Sequence, residues 1–412
     1  MKITKRLLAI AIVLSTSMAI VAQNAMTPYS RYGYGILQDN ATSAQRAMGG
    51  VGYAMSSGRQ INAMNPASYA SIDSLTFLFD MGIGATALNS REGNEKGTSF
   101  GGGLDYITMQ FPITKYMGAS VGVIPFSSVG YSFGNEIVHG SNAYEGSGGL
   151  NQLYAGVSGK LFNRFSLGVN ASYLFGTTIN DIYVNTSAGS TSLFERVMQV
   201  RDWRIQVGAQ YTFKIGNKNR LTLGAVYTPG KDLLGKTWGV KYDIDSDTEP
   251  DTIGYTHTKG KYSLPHSWGG GINYEWDDRL MAEVDFTYQS WGDAKYSALE
   301  NFEQTRFDNR WEVSAGLQFT PKPRGIYAQR IQYRLGGFYN HDYLMINNNN
   351  LNEYGVTAGV GLPVNGFKTI VNLGFEYRHR QASPQTLIKE DYFNITVGVN
   401  FNEMWFWKNK IR

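Results

Sequence analysis

In YFNITVGVNF, residues 392–401, apolar side chains alternate without a break with small or polar ones. Phe393, Ile395, Val397, Val399 and Phe401 share one face; Tyr392, Asn394, Thr396, Gly398 and Asn400 share the other. A strand's side chains switch faces at every residue, so this is a strand with one greasy face and one wet face. The pattern recurs at roughly 74–88, 99–111, 116–128, 148–161, 164–178, 199–214, 219–240, 255–275, 279–291, 307–320, 329–340, 353–362, 367–379 and 391–401. That is about fourteen strands, an even number as bacterial outer-membrane barrels require. One short helix is expected at 192–198, SLFERVM.

The connections alternate short and long. FPITKY, FNR, KIGNKN, WDDR, TPKPRGIYA and PVNG are short; the stretches near 89–98, 129–147, 179–198, 241–254, 292–306, 341–352 and 380–390 are longer and more polar. Membrane barrels have short turns on the periplasmic side and longer loops outside. A soluble sandwich or propeller also has many strands, but does not readily combine this alternation with an apolar-out pattern. In lipid each backbone amide must bond within the protein, and only a closed sheet leaves no edge. The expected fold is therefore all-β: a transmembrane antiparallel barrel over residues 74–401. Tyr106, Tyr116, Trp203, Trp268, Trp276, Trp291, Trp311 and Tyr392 lie near strand ends and are candidates for the interfacial girdles.

The first residues set the compartment. Lys2, Lys5 and Arg6 precede the apolar run Leu7–Leu14, and Ala19 and Ala22 have the look of a cleavage site. Residues 1–22 read as a secretory signal, with Gln23 first in the mature chain. The apolar run is short for a spanning helix, which needs ~20 residues. Without its three cations the chain keeps 34 basic against 33 acidic residues, a net charge of +1, so no basic field remains to attract nucleic acid. The absence of cysteine excludes disulfide staples, thiol catalysis and a lipoprotein anchor. At the other end, residues 402–412 form a basic, aromatic tail; Trp405 and Trp407 suit the periplasmic interface, with Lys408, Lys410 and Arg412 near headgroups.

Residues 23–73 are neither good helix nor good sheet. They hold GGVG at 49–52 and NPAS at 65–68. Glycine permits tight backbone and Asn-Pro favours turns. No GK[ST] follows the GGVG, so it is no phosphate loop. A fourteen-strand bore is too wide for its own side chains to fill. A compact N-terminal hatch inside it fills the space and shelters the irregular backbone. Met48, Met55 and Met64 are candidate apolar ligand contacts, methionine being adaptable, or else they pack the hatch on the wall.

RAMGGVGYAMSSGRQINAMNPASYA (46–70) resembles the hatch of the outer-membrane long-chain fatty-acid transporter family. Asn65, Pro66 and Ala67 match that family's NPA sequence before the first strand. YTPGKDLLGKT (227–237), SLPHSWGGGINYEWDDRLMAEVDFTYQSW (263–291) and RIQYRLGGFYNHDYL (330–344) resemble later blocks in the same order. The resemblance implies a fourteen-strand barrel plugged by its N-terminus. It implies passive inward movement of a fatty-acid-like compound, with Gly49, Gly50, Asn65, Pro66 and Ala67 in the gate. It also implies a distorted third strand that opens sideways to lipid. Pro125 lies in the expected third strand and gives a reason of its own for a defect there, since proline has no N–H for the ladder. An ordinary bulge at the rim is the plainer reading; Pro229 and Pro265 read as rim or bulge residues.

The chain departs from the family where the long loops are polar, 243–251 being acidic, so a greasy landing platform is in doubt. Asp243, Asp245, Asp247 and Glu249 alternate like calcium ligands but lack the glycine turn and terminal glutamate of an EF-hand. His139, His257, His266, His341 and His379 show no metal-ligand spacing. No catalytic set, metal or cofactor is indicated. The expected partners are outer-membrane lipids and a small hydrophobic, fatty-acid-like molecule. The alternative is a non-transporting accessory subunit of an assembly of outer-membrane proteins or lipoproteins.

Overall fold

The computed structural model describes residues 27–404, apart from 138–139, 163, 187–190, 217, 245–250, 259–260, 298–301, 303–304 and 365–367. The signal segment, the tail from 405 and most of the acidic loop lie outside the described residues, as does His139.

Fourteen antiparallel strands close into one barrel. They are β1 Thr76–Glu92, β2 Glu95–Thr114, β3 Met117–Ile137, β4 Gly140–Leu161, β5 Phe165–Thr186 and β6 Thr191–Ile215. β7 comes in two parts, Asn219–Thr228 and Gly235–Ile244, and so does β8, Asp251–Thr258 and Ser267–Trp276. β9 Leu280–Gln289, β10 Arg310–Phe319, β11 Gln332–Ile346, β12 Asn349–Pro363, β13 Ile370–Ser383 and β14 Lys389–Met404 complete the wall. β14 pairs with β1 from Lys389↔Arg91 to Met404↔Thr76, which closes it.

The alternation does what its period requires. On β14, Phe393, Ile395 and Phe401 point outward, exposed, while Thr396, Asn400 and Asn402 are buried inside. Cross-strand register stacks the outward residues into a belt: Leu223, Ile272 and Val284 are directly paired neighbours on β7, β8 and β9, all exposed. A soluble protein does not expose an apolar band around a whole closed sheet; lipid covers such a band.

Several sequence expectations need correcting. The stretch 192–198 is strand, paired on both sides within β6: Phe194 stands between Ile182 and Lys241, and Glu195 between Asp181 and Val240. The described parts of 89–98, 129–147 and 179–198 are mostly continuations of long hairpin strands rather than loops. The stretch 341–352 closes in a tight turn at Asn347 and Asn348, both at positive φ, which asparagine tolerates. Among the girdle candidates, Tyr116, Trp203, Trp268 and Trp276 face outward, but Tyr106, Trp291 and Tyr392 are buried inside. Their phenol or indole groups bond inner side chains, Trp291 Nε1 donating to Gln289 Oε1 at 2.8 Å. Pro229 and Pro265 flank the interruptions of β7 and β8.

The N-terminal segment lies within the barrel as short pieces. These are a 3₁₀ turn Pro28–Arg31, a two-residue strand Ile36–Leu37, helix α1 Ser43–Arg46 and a 3₁₀ turn Pro66–Ser71. Its buried residues include Tyr34, Met48, Val51, Ala54, Asn65 and Tyr69.

If the belt faces lipid, Ile272→Arg at its middle should cost about 2–4 kcal/mol of folding stability. The measurement is urea-induced unfolding in lipid vesicles, and Glu95→Gln at an exposed hairpin end should change it little.

Candidate functional site

The candidate site is the lumen with its plug, in three zones along the barrel axis. At the long-hairpin end lies the largest apolar cluster among the described residues, built from the start of the hatch and the strand ends around it. Tyr34 sits at its centre, against Trp291 at 5.6 Å, Tyr296 at 5.4 Å and Phe307 at 6.1 Å between ring centroids. The Tyr343 hydroxyl accepts from Tyr34 N (3.1 Å) and donates to Gly35 O (2.6 Å). Burial pushes the Tyr34 phenol well above its ordinary range, so it stays neutral and donates to Ser263 O. This end of the lumen is capped and dry.

The middle zone is where the hatch is bolted to the wall. Gly52 N and Tyr53 N both donate to Asp285 Oδ2, at 2.6 and 2.9 Å. Ala54 N and Met55 N both donate to Glu283 Oε1, at 2.8 and 3.1 Å. Two acids two apart on one strand thus point inward together and hold four consecutive amides. Gln210 Nε2 donates to Tyr53 O and Met55 O, both at 3.0 Å, from the opposite side. Asn62 knots the segment internally, donating to Gly52 O and Met55 O and accepting from Gln45 Nε2.

Each residue expected in the gate has a place here. Asn65 caps the 3₁₀ turn by accepting from Ala67 N (3.0 Å), and donates to Tyr53 O (2.7 Å) and Ala209 O (3.3 Å). Pro66 lies on the wall so closely that a Cβ at Gly168 would meet its carbonyl at 2.4 Å. At Gly208 a Cβ would meet Asn65 Oδ1 at 2.1 Å. Ala67 is fully buried beside them. Gly49, at φ +74, donates to Thr357 Oγ1 at 2.8 Å, and a Cβ there would strike Ala315 O and Gly337 backbone at 2.8 Å. Gly50, at φ +81, faces open space. Met48 and Met55 form a small cluster with Val51 against Met281 of the wall, while Met64 borders a cavity of about 100 Å³.

The middle zone also holds the side of the barrel where pairing stops. β2 and β3 are laddered only from Thr114↔Met117 to Ile107↔Val123. Beyond that point β3 passes Pro125, where its register against β4 shifts, and its free edge is taken by the hatch. Ile36 and Leu37 pair with Ser128 and Ser127, Gln38 N donates to Phe126 O at 2.9 Å and Thr27 N to Gly130 O at 2.8 Å. Between β2 and this edge lies a cavity of about 210 Å³, bordered by Gly103, Leu104, Pro125, Ser128 and Arg46. Asp105, the bulged residue of β2, pairs with Arg46 of the hatch at 3.3 Å. The inner wall behind carries ion pairs: Arg310–Glu312 and Arg378–Glu376, each along one strand, and Arg380 with Glu353 and Glu390 on the two neighbouring strands.

Of the histidines, His266 stacks on Trp268, His341 meets Asp308 at 3.3 Å and His379 meets Asp391 at 2.7 Å. Among the described residues no group of three or more His, Asp or Glu is placed to hold a metal ion. Glu283 and Asp285 were missed by sequence reasoning, although a pair of acids on the wet face of a strand, AEVDF, was the available signal.

Removing either acid strands two hatch amides. Glu283→Ala or Asp285→Ala should cost roughly 1–3 kcal/mol locally, read as faster hydrogen exchange at residues 52–55 with the barrel still folded.

The family model described as BamG matches residues 3–412. No curated protein matches the chain. Among solved structures, a FadL homologue of Pseudomonas aeruginosa superposes with a TM-score of 0.65 at 12% identity, over 89% of this chain and 99% of that one. The toluene transporter TodX of P. putida gives 0.62 at 15% identity, over 90% and 100%. The monoaromatic hydrocarbon channel CymD gives 0.58 at 11% identity, over 88% and 97%. At these identities the likeness is one of fold, a closed antiparallel β-barrel.

Proposed function

The chain belongs to the BamG family, and from its fold and wall opening we propose a hatch-gated outer-membrane barrel that admits a small hydrophobic compound from the side. The short turns then face the periplasm and the long hairpins the outside. The observation that carries this reading is the cavity between β2 and the hatch-covered edge of β3, bordered by Leu104 and Pro125 on the wall and by Arg46 inside. An apolar chain gains ~25 cal/mol per Å² on leaving water, and a compound already in the bilayer needs only a lateral step. Arg46, paired with Asp105 at the inner end, suits the carboxylate of a fatty-acid-like compound. Movement is passive, and onward passage needs a shift of Gly49–Gly50 and the Asn65–Pro66–Ala67 turn.

A second reading has its own observation. The outer mouth is closed by a dry aromatic core and the hatch by four amide–carboxylate bonds, which suits a permanently corked, non-transporting member of an outer-membrane protein assembly.

Gly103 borders the opening and has nothing within 4 Å of a built Cβ, so a large side chain fits without displacing the wall. Gly103→Trp should lower uptake of a labelled long-chain fatty acid several-fold in cells with unchanged barrel abundance. Unchanged uptake in this variant and in the gene deletion, with other outer-membrane proteins co-purifying stoichiometrically, would select the assembly reading.

A further inference from the structure

The third zone of the lumen, at the short-turn end, takes no part in the reading above. Below the hatch floor of residues 56–60 opens a vestibule of about 720 Å³, larger than the inner cavities. Its lining carries eight Lys or Arg against three Asp or Glu, five positive charges in excess. The mature chain as read from sequence carries a net charge of only +1, so this excess is local.

The three acids are already engaged. Asp73 pairs with Arg59 at 3.6 Å, and Glu275 and Asp278 share Arg220. Among the described residues no carboxylate lies within ion-pair distance of Lys160, Lys214, Arg279, Arg324 or Lys368. Arg279 rests on the Trp276 ring and its Nε, shielded from solvent, bonds to nothing in the protein. These five cations come from β4, β6 and the turns before β9, β11 and β13, and converge on one mouth.

We propose that this vestibule docks an acidic segment of a protein approaching from the short-turn side. Like charges gathered in a concave, low-dielectric mouth focus the field and attract a complementary chain. The spread of cations over the vestibule fits several carboxylates along a chain better than one phosphate. Lipid headgroups are not the natural occupant, because Lys160, Lys214 and Arg220 stand on the inner face of the sheet, separated from the bilayer by the wall itself. The proposal does not depend on transport and stands or falls apart from it.

The test uses the full-length barrel in neutral detergent and a fluorescent hepta-glutamate peptide, followed by anisotropy. Saturable binding is expected, weakened at least about tenfold by combining Lys214→Gln, Arg324→Gln and Lys368→Gln. All three side chains are exposed, so folding is preserved. Lys96→Gln, at the other end of the barrel, should leave binding unchanged. No binding to the native barrel, or equal binding by the triple variant, overturns the proposal. Displacement of the peptide by millimolar glycerol phosphate also overturns it, in favour of a phosphate site.

Discussion

An amide facing lipid without a partner costs several kcal/mol, and the whole architecture follows from avoiding that cost. Thirteen neighbouring pairs and the closure of β14 on β1 satisfy the wall almost everywhere. One exception among the described residues is the outer half of the β2–β3 seam, where the ladder ends at Ile107↔Val123. There the chain's own leading segment supplies the missing partner, Ile36 and Leu37 pairing with β3. The hatch is therefore part of the wall's hydrogen-bond system as well as a filler of the bore. Moving it far would leave the edge of β3 bare, which ties any opening of the plug to the state of the seam.

The rest of the hatch is held by directional contacts more than by grease. Carboxylates of Glu283 and Asp285 meet backbone amides, and the NPA turn lies on Gly168 and Gly208 where no side chain intervenes. Such contacts fix orientation as well as position, because a hydrogen bond weakens steeply off geometry. The apolar contribution is concentrated at one end, around Tyr34, Trp291 and Tyr343. The plug is thus sealed dry on one side and bolted wet in the middle.

The strand segments were legible because a period of two is a local property: each of the fourteen expected segments coincides with one wall strand. Strand ends were less so. The hairpins above β3 to β6 continue through Gly- and Ser-rich stretches such as 145–149 that look like loops, because paired neighbours, not propensity, keep them extended. The facing of Tyr106, Trp291 and Tyr392 was misread because aromatic type alone does not distinguish a girdle from an inward hydrogen bond. Asn65 and Pro66 were legible as a turn, but their seat on Gly168 and Gly208 joins residues about a hundred or more positions apart and exists only once the barrel closes. The same holds for the vestibule, whose cations are scattered singly through the sequence.

The two ends of the bore decide the direction from which anything enters. Exposing an aromatic ring such as Trp291 at the capped end uncovers about 150–250 Å², roughly 4–6 kcal/mol at ~25 cal/mol per Å², and its neighbours would have to follow. The seam beside Pro125 holds instead the Arg46–Asp105 pair, partly solvated at 20% and 19% exposure. On the proposed reading the entrance lies in the side of the wall beside this pair, and among the described residues the widest cavity is the one at the short-turn mouth.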